Sequence, residues 1–173
     1  MAVKIIGAVI VFFSCAAAGM FLACRDRFRA DELMEMKRGL LLLKSEIDYS
    51  SRPLYEALID ISLKVGGAVS EIFEDCGRLL KSRKASSAAE AWETTLKDRK
   101  GRTFFHKSDM DALISMGKNL GGGDRRCQLS SIDMAMEYID LKYEELMKKY
   151  SKDGRLFRSG GILCGILIVV ALF

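Results

Sequence analysis

Two stretches without a single charged residue bracket the chain: Ile5 to Cys24, 20 residues, and Ser159 to Phe173, 15 residues. No other feature constrains the fold as strongly, because a 20-residue apolar helix at about 1.5 Å per residue spans the ~30 Å hydrocarbon core of a bilayer. The first run therefore predicts a transmembrane helix. The second is about 22 Å long as a helix. It spans with Arg158 and the terminal carboxylate reaching for opposite interfaces, or inserts shallowly. Its Gly161 and Gly165 would let another helix approach closely. Charged residues make up 29% of the 173, and all but Lys4 lie between the two runs. The sequence thus divides into an N-terminal membrane helix at 1–24, a soluble domain at 25–158 and a C-terminal membrane helix at 159–173.

The flanking charges set the topology. Arg25, Arg27 and Arg29 follow the first run at once, and Lys152, Arg155 and Arg158 precede the second. Basic residues on both inner flanks hold residues 25–158 in the cytoplasm. A secretory signal peptide is disfavoured, since its n-region would carry only Lys4 while three arginines follow the apolar run. Lys4 aside, 26 Lys and Arg face 23 Asp and Glu in the soluble domain, a net charge of +3. That balance excludes the strongly basic surface expected for nucleic-acid binding.

Strand patterns are nearly absent, and apolar residues recur at spacings of three and four, so the class is all-α. The first cytosolic helix continues from the membrane helix with a seam of Leu33, Met36, Leu40, Leu43 and Ile47, which is heptad spacing. It stops near Ser50-Ser51-Arg52-Pro53, where Pro53 suits the first turn of a second helix running to about Lys64. Gly66-Gly67 opens a third, with Val69, Ile72, Phe73, Cys76, Leu79 and Leu80 as its stripe. Lys81 to Ser86 is a basic, Ser-rich loop. Ser87 with Glu90 forms a capping box that starts a fourth helix with Ala88, Ala91, Trp92 and Leu96 inward. Trp92, the only Trp, is expected as a core anchor.

Lys97 to Lys107 reads as a polar connection around Phe104-Phe105, and Ser108 with Asp111 as the start of a fifth helix bearing Met110, Leu113 and Gly117. After Gly121-Gly122-Gly123 a long sixth helix starts near Asp124, with a seam of Leu129, Ile132, Met136, Ile139, Tyr143, Leu146 and Tyr150. Each heptad helix with its membrane run covers close to 50 residues, roughly 70 to 75 Å. The two should pair antiparallel. The expected fold is a six-helix antiparallel bundle whose long first and last helices continue into the membrane, with helices two to five as its membrane-distal head.

No catalytic set emerges. Gly121-Gly122-Gly123-Asp124-Arg125-Arg126 lacks the preceding strand and the Gly-Lys-Ser/Thr of a phosphate loop. His106, the single His, has no neighbouring cluster for a metal or a nucleophile. Cys76 and Cys127, outside the apolar runs and without metal-site spacing, are expected as small buried residues. Carboxylates such as Glu32, Glu35, Glu46 and Asp48 alternate with basic residues as on wet helix faces. No cofactor, metal or active site is expected. Arg52, Arg78, Lys81 and Asp124, at helix ends or beside loops, are the candidate partner contacts.

A set of local patterns points to a family. Leu43-Lys44-Ser45-Glu46-Ile47-Asp48-Tyr49, Pro53-Leu54 with Ala57-Leu58, Ala91-Trp92 with Leu96, and Gly117 with Leu120-Gly121, Asp124 and Gln128 occur in this order. In this the chain resembles the stage III sporulation protein AB family over essentially its whole length. The resemblance implies a platform component of the mother-cell-to-forespore channel complex of endospore formers. The protein would sit in the outer forespore membrane with its domain in the mother-cell cytoplasm. It also implies a fold similar to the six-helix cytoplasmic domains of type II secretion and type IV pilus platform proteins. The implied partners are the stage III sporulation protein AA ATPase and other channel membrane proteins. The matching positions Glu46, Tyr49, Pro53, Leu54, Trp92, Gly117, Gly121, Asp124 and Gln128 read as determinants of the fold. The alternative is a two-span coiled-coil adaptor or pore-forming protein unrelated to sporulation.

Overall fold

A computed structural model describes the backbone of residues 2–50, 52–122 and 124–172, and the side chains of residues 25–50, 52–122 and 124–150. It contains six helices in the order α1 (Ala2–Tyr49), α2 (Leu54–Ser62), α3 (Gly67–Lys81), α4 (Ala88–Arg99), α5 (Lys107–Gly117) and α6 (Arg125–Leu172), with no strand among the described residues. The all-α, six-helix expectation holds. Both expected membrane segments, with Cys15, Cys24 and Cys164, lie outside the residues whose side chains are described. Among the described residues no helix is long and apolar enough to cross a membrane.

Two compact units divide the chain. One comprises residues 1–28 and 144–173. Within it Lys149 Nζ reaches Asp26 Oδ2 at 2.6 Å, and Leu146 is buried.

The other unit, residues 29–143, contains α2 to α5 with the adjoining parts of α1 and α6. Here α1 and α6 run antiparallel. Lys37 pairs with Asp140 at 2.6 Å and Lys44 with Asp133 at 2.6 Å, so positions fall along one helix as they rise along the other. Ala30, Leu33, Met36, Leu40 and Leu43 of α1 are fully buried, and α6 supplies Ile132, Ala135 and Ile139. The α6 seam departs from the expected one: Leu129, Met136 and Tyr143 are only half-buried, and Ala135 takes a core position. A short side chain there lets α6 lie close to its neighbours.

At the centre Phe73 and Trp92 meet edge to face, with centroids 5.4 Å apart and planes at 66°. Each ring enters a gap that a glycine leaves. A Cβ on Gly39 of α1 would collide with the Phe73 ring, and one on Gly117 of α5 with Trp92 Cδ1. Trp92 has no exposed surface, and its Nε1–H donates to Leu113 O at 2.9 Å. The expected core anchor is therefore found, with its one polar atom satisfied.

Helix boundaries follow local chemistry. Pro53 caps α2 at φ −57° and ψ 137°. Ser87 Oγ accepts the Glu90 N–H at 3.1 Å, and the Glu90 carboxylate accepts the N–H of Ser86 at 2.8 Å, one residue earlier than the standard reciprocal bond. Two expected boundaries move. α4 continues to Arg99, because Arg99 is held by Asp75 at 2.5 Å and by Glu71 on α3. α5 begins at Lys107, with its N-cap at His106, two positions before the expected cap at Ser108. Asp109, not Asp111, reaches back to the N–H of His106, at 2.7 Å. Cys76 is buried as expected, but Cys127 is exposed, since it falls on the outer side of the first turn of α6.

Candidate partner-docking surface

The polar chemistry of the 29–143 unit divides into groups that serve the fold and groups left on its surface. Most of α1's carboxylates belong to the first kind. Glu32 accepts the N–H of Phe104 at 2.7 Å and Glu35 that of Gly66 at 2.8 Å. Both fix connections between helices by satisfying backbone donors that a turn leaves unpaired. Glu32 titrates above the ordinary carboxylate value, because burial raises it more than the Phe104 N–H lowers it.

A buried network ties three helices. Arg29 on α1 grips Asp109 on α5 through Nε and Nη2, both at 2.8 Å. Tyr138 on α6 donates its hydroxyl to Asp109 at 2.9 Å. Asp109 has no exposed surface, and Arg29 very little. Burial pushes the Asp109 carboxyl up, but bonds from Arg29, the His106 N–H and Tyr138 outweigh it and hold the group below its ordinary value. In the sequence Arg29 reads only as one of the arginines flanking the first apolar run, and Asp109 carries no signal. They are 80 residues apart, and nothing local to either one reports the other.

The residues expected to meet a partner lie in two places. Arg52 is an internal brace: its guanidinium bonds Glu46 and Asp60, each at 2.7 Å, closing the turn from α1 into α2. The bond from Arg52 holds Glu46 below the ordinary carboxylate value. Asp48 lies 3.4 Å from Arg125, so the turn carrying Arg52 and the start of α6 carrying Asp124 occupy one end of the α1–α6 pair. Asp124 is exposed there. Arg78 and Lys81 are exposed on the last turns of α3, with Arg78 paired to Glu74 at 2.5 Å.

The motif positions fall mostly on the frame. Gly121 has φ +71°, a region that favours glycine, and a Cβ on it would lie 2.6 Å from Ala88 Cβ and 3.7 Å from Leu54 Cδ2. Gly121, in the turn after α5, thus lies against Ala88 at the start of α4 and beside Leu54 at the start of α2. Gln128 donates its N–H to Asp124 O at 3.2 Å in the first turn of α6. Tyr49 is 86% exposed at the end of α1 and takes no place in the core. Among the described residues no group of three or more His, Cys, Asp or Glu is placed to hold a metal ion.

Fold and surface together define a six-helix bundle with long terminal helices, whose charged side chains close turns and pair helices. The chain belongs to the stage III sporulation protein AB family, whose model matches residues 4–173. Stage III sporulation protein AB of Bacillus subtilis strain 168 is 27% identical over 169 residues, 98% of each chain. A solved structure of a stage III sporulation protein AB, 26% identical, superposes with a TM-score of 0.68 over 72% of this chain and 97% of the other. These findings bear out the family expected from the motifs and set aside an adaptor or pore unrelated to sporulation.

Proposed function

We propose that the protein is a non-enzymatic platform of the mother-cell-to-forespore channel, anchored by two membrane helices and docking a secretion-type ATPase on its cytoplasmic bundle. The observation that carries this reading is that α1 and α6, 48 residues each, both contain an uncharged terminal run and a stretch of bundle core in one helix. Each of these helices thus carries both an apolar anchor and part of the folded body, as a membrane-held platform requires. The arginines on the inner flanks put the body in the mother-cell cytoplasm, with the anchors in the outer forespore membrane. The partner would be the stage III sporulation protein AA ATPase, with other channel membrane proteins beside the anchors.

Docking falls to the exposed charges on α2 to α5 and their connections. Arg78, Lys81 and Asp124 are the contacts this reading favours, and Arg52 acts through the turn it braces. Co-purification tests it. Reversing Arg78, Lys81 and Asp124 together should weaken ATPase retention and its salt sensitivity at unchanged helicity. Retention of the ATPase by a variant with residues 54–117 replaced by a short linker would defeat the reading.

A further inference from the structure

A second polar feature adjoins the Arg78 contact and lies apart from the buried network. Between the last turns of α3 and the second half of α4 runs a groove of about 220 Å³, lined by Asp75, Arg78, Leu79, Ser82, Lys84, Thr95 and Asp98. It is smaller than the roughly 300–1,000 Å³ typical of small-molecule sites, and has room for about one side chain.

Thr95 is part of its lining, is 2% exposed, and its hydroxyl has no hydrogen-bond partner among the described residues. A helical threonine ordinarily bonds the carbonyl one turn back or points to water. This one does neither, although a buried hydroxyl without a partner loses its hydration for no return. Both carboxylates beside it have capacity to spare. Arg99 places its Nε and Nη2 bonds on a single oxygen, Oδ2 of Asp75, at 2.8 and 2.5 Å. Asp98 is exposed and makes no ion pair among the described residues. Of the two basic residues in the lining, Arg78 is already paired to Glu74, and Lys84 is exposed, so its flexible side chain can swing out to water. The negative end of the α3 dipole points the same way as the carboxylates, favouring a cation.

We propose that this groove receives the arginine or lysine side chain of a protein partner, with Asp98 and the second oxygen of Asp75 taking its charge and Thr95 accepting one of its N–H donors. The groove is a specificity pocket: a guanidinium or ammonium can bond all three groups, whereas an apolar side chain bonds none and an anion is set against two carboxylates. The inference rests on the reading of the bundle as a docking body, but its test involves no ATPase, so the two stand or fall separately.

The chain holds three threonines, Thr94, Thr95 and Thr103, so methyl-labelled threonine gives a spectrum in which Thr95 can be followed in the detergent-solubilised full-length protein. Titration with N-acetyl-arginine amide should shift the Thr95 methyl saturably and leave Thr103 in place. The citrulline analogue, of the same shape without the charge, should leave Thr95 unmoved. Asp98→Asn should weaken the arginine response at least threefold with the melting temperature unchanged. Thr95→Val, which removes an unsatisfied hydroxyl at constant shape, should not lower the melting temperature, and in that variant the amide resonances of Asp75 and Asp98 should respond at least threefold more weakly. A Thr95 methyl indifferent to the arginine probe, an equal response to citrulline, or a response to N-acetyl-glutamate amide would each overturn the proposal.

Discussion

At Gly117 two residue-level effects oppose each other, and their sizes decide the outcome. Alanine in place of a helical glycine gains about 1 kcal/mol of helix propensity, but its Cβ would strike Trp92 Cδ1. The ring has nowhere to go: its Nε1 is fixed to Leu113 O at 2.9 Å and its edge rests on Phe73. Overpacking a tight core costs about 1 to 3 kcal/mol, so Gly117→Ala should be a net destabilisation despite the better helix former. Trp92→Ala should lose about 3 to 5 kcal/mol. The double variant should lose clearly less than the two single losses together, since the collision disappears with the ring. Urea unfolding of the three variants measures this, and strict additivity would mean that Gly117 and Trp92 do not touch.

At the scale of the helices, the Arg29–Asp109 pair is where electrostatics enters stability. Asp109→Asn leaves a buried guanidinium without its carboxylate, and should cost about 3 to 5 kcal/mol, whereas Arg29→Met with Asp109→Leu should recover most of it. The pH dependence has a definite sign. Asp109 titrates below its ordinary 3.8 in the folded protein, so its contribution is complete above that value and is lost as pH falls through the lower folded one. The acid limb of a stability–pH curve should therefore be shallower in the double variant than in the parent. This pair also marks the limit of what was legible in the sequence. Helix count and the α1 seam were readable from spacing, because a heptad repeat and a Pro53 or Gly66-Gly67 break act over a few residues. Trp92 in the core was readable from composition alone. The start of α5 was misplaced because Asp109 and Asp111 offer equal local patterns, and only Arg29 and Tyr138, distant in sequence, select the first. The groove at Thr95 was invisible for the same reason, since it takes α3 and α4 side by side to strand that hydroxyl.

For the whole molecule, the decisive question is on which side of the membrane residues 25–158 lie, and the cysteines provide the means to ask it. Burial pushes the Cys76 thiol up to about 12, which leaves it protonated and enclosed, and a protonated thiol is a poor nucleophile. Cys127 is exposed. In a variant with Cys15, Cys24 and Cys164 replaced by serine, Cys127 becomes the only thiol that reacts while the bundle is folded, so no foreign residue is needed in the bundle. Expressed in vegetative cells, this variant should resist a membrane-impermeant maleimide until the cells are permeabilised, and then take up a single label. A second label should appear only in denaturant, when Cys76 opens. Labelling of Cys127 in intact cells would overturn the topology proposed from Arg25, Arg27, Arg29, Arg155 and Arg158, and with it the access of a cytoplasmic ATPase to the bundle.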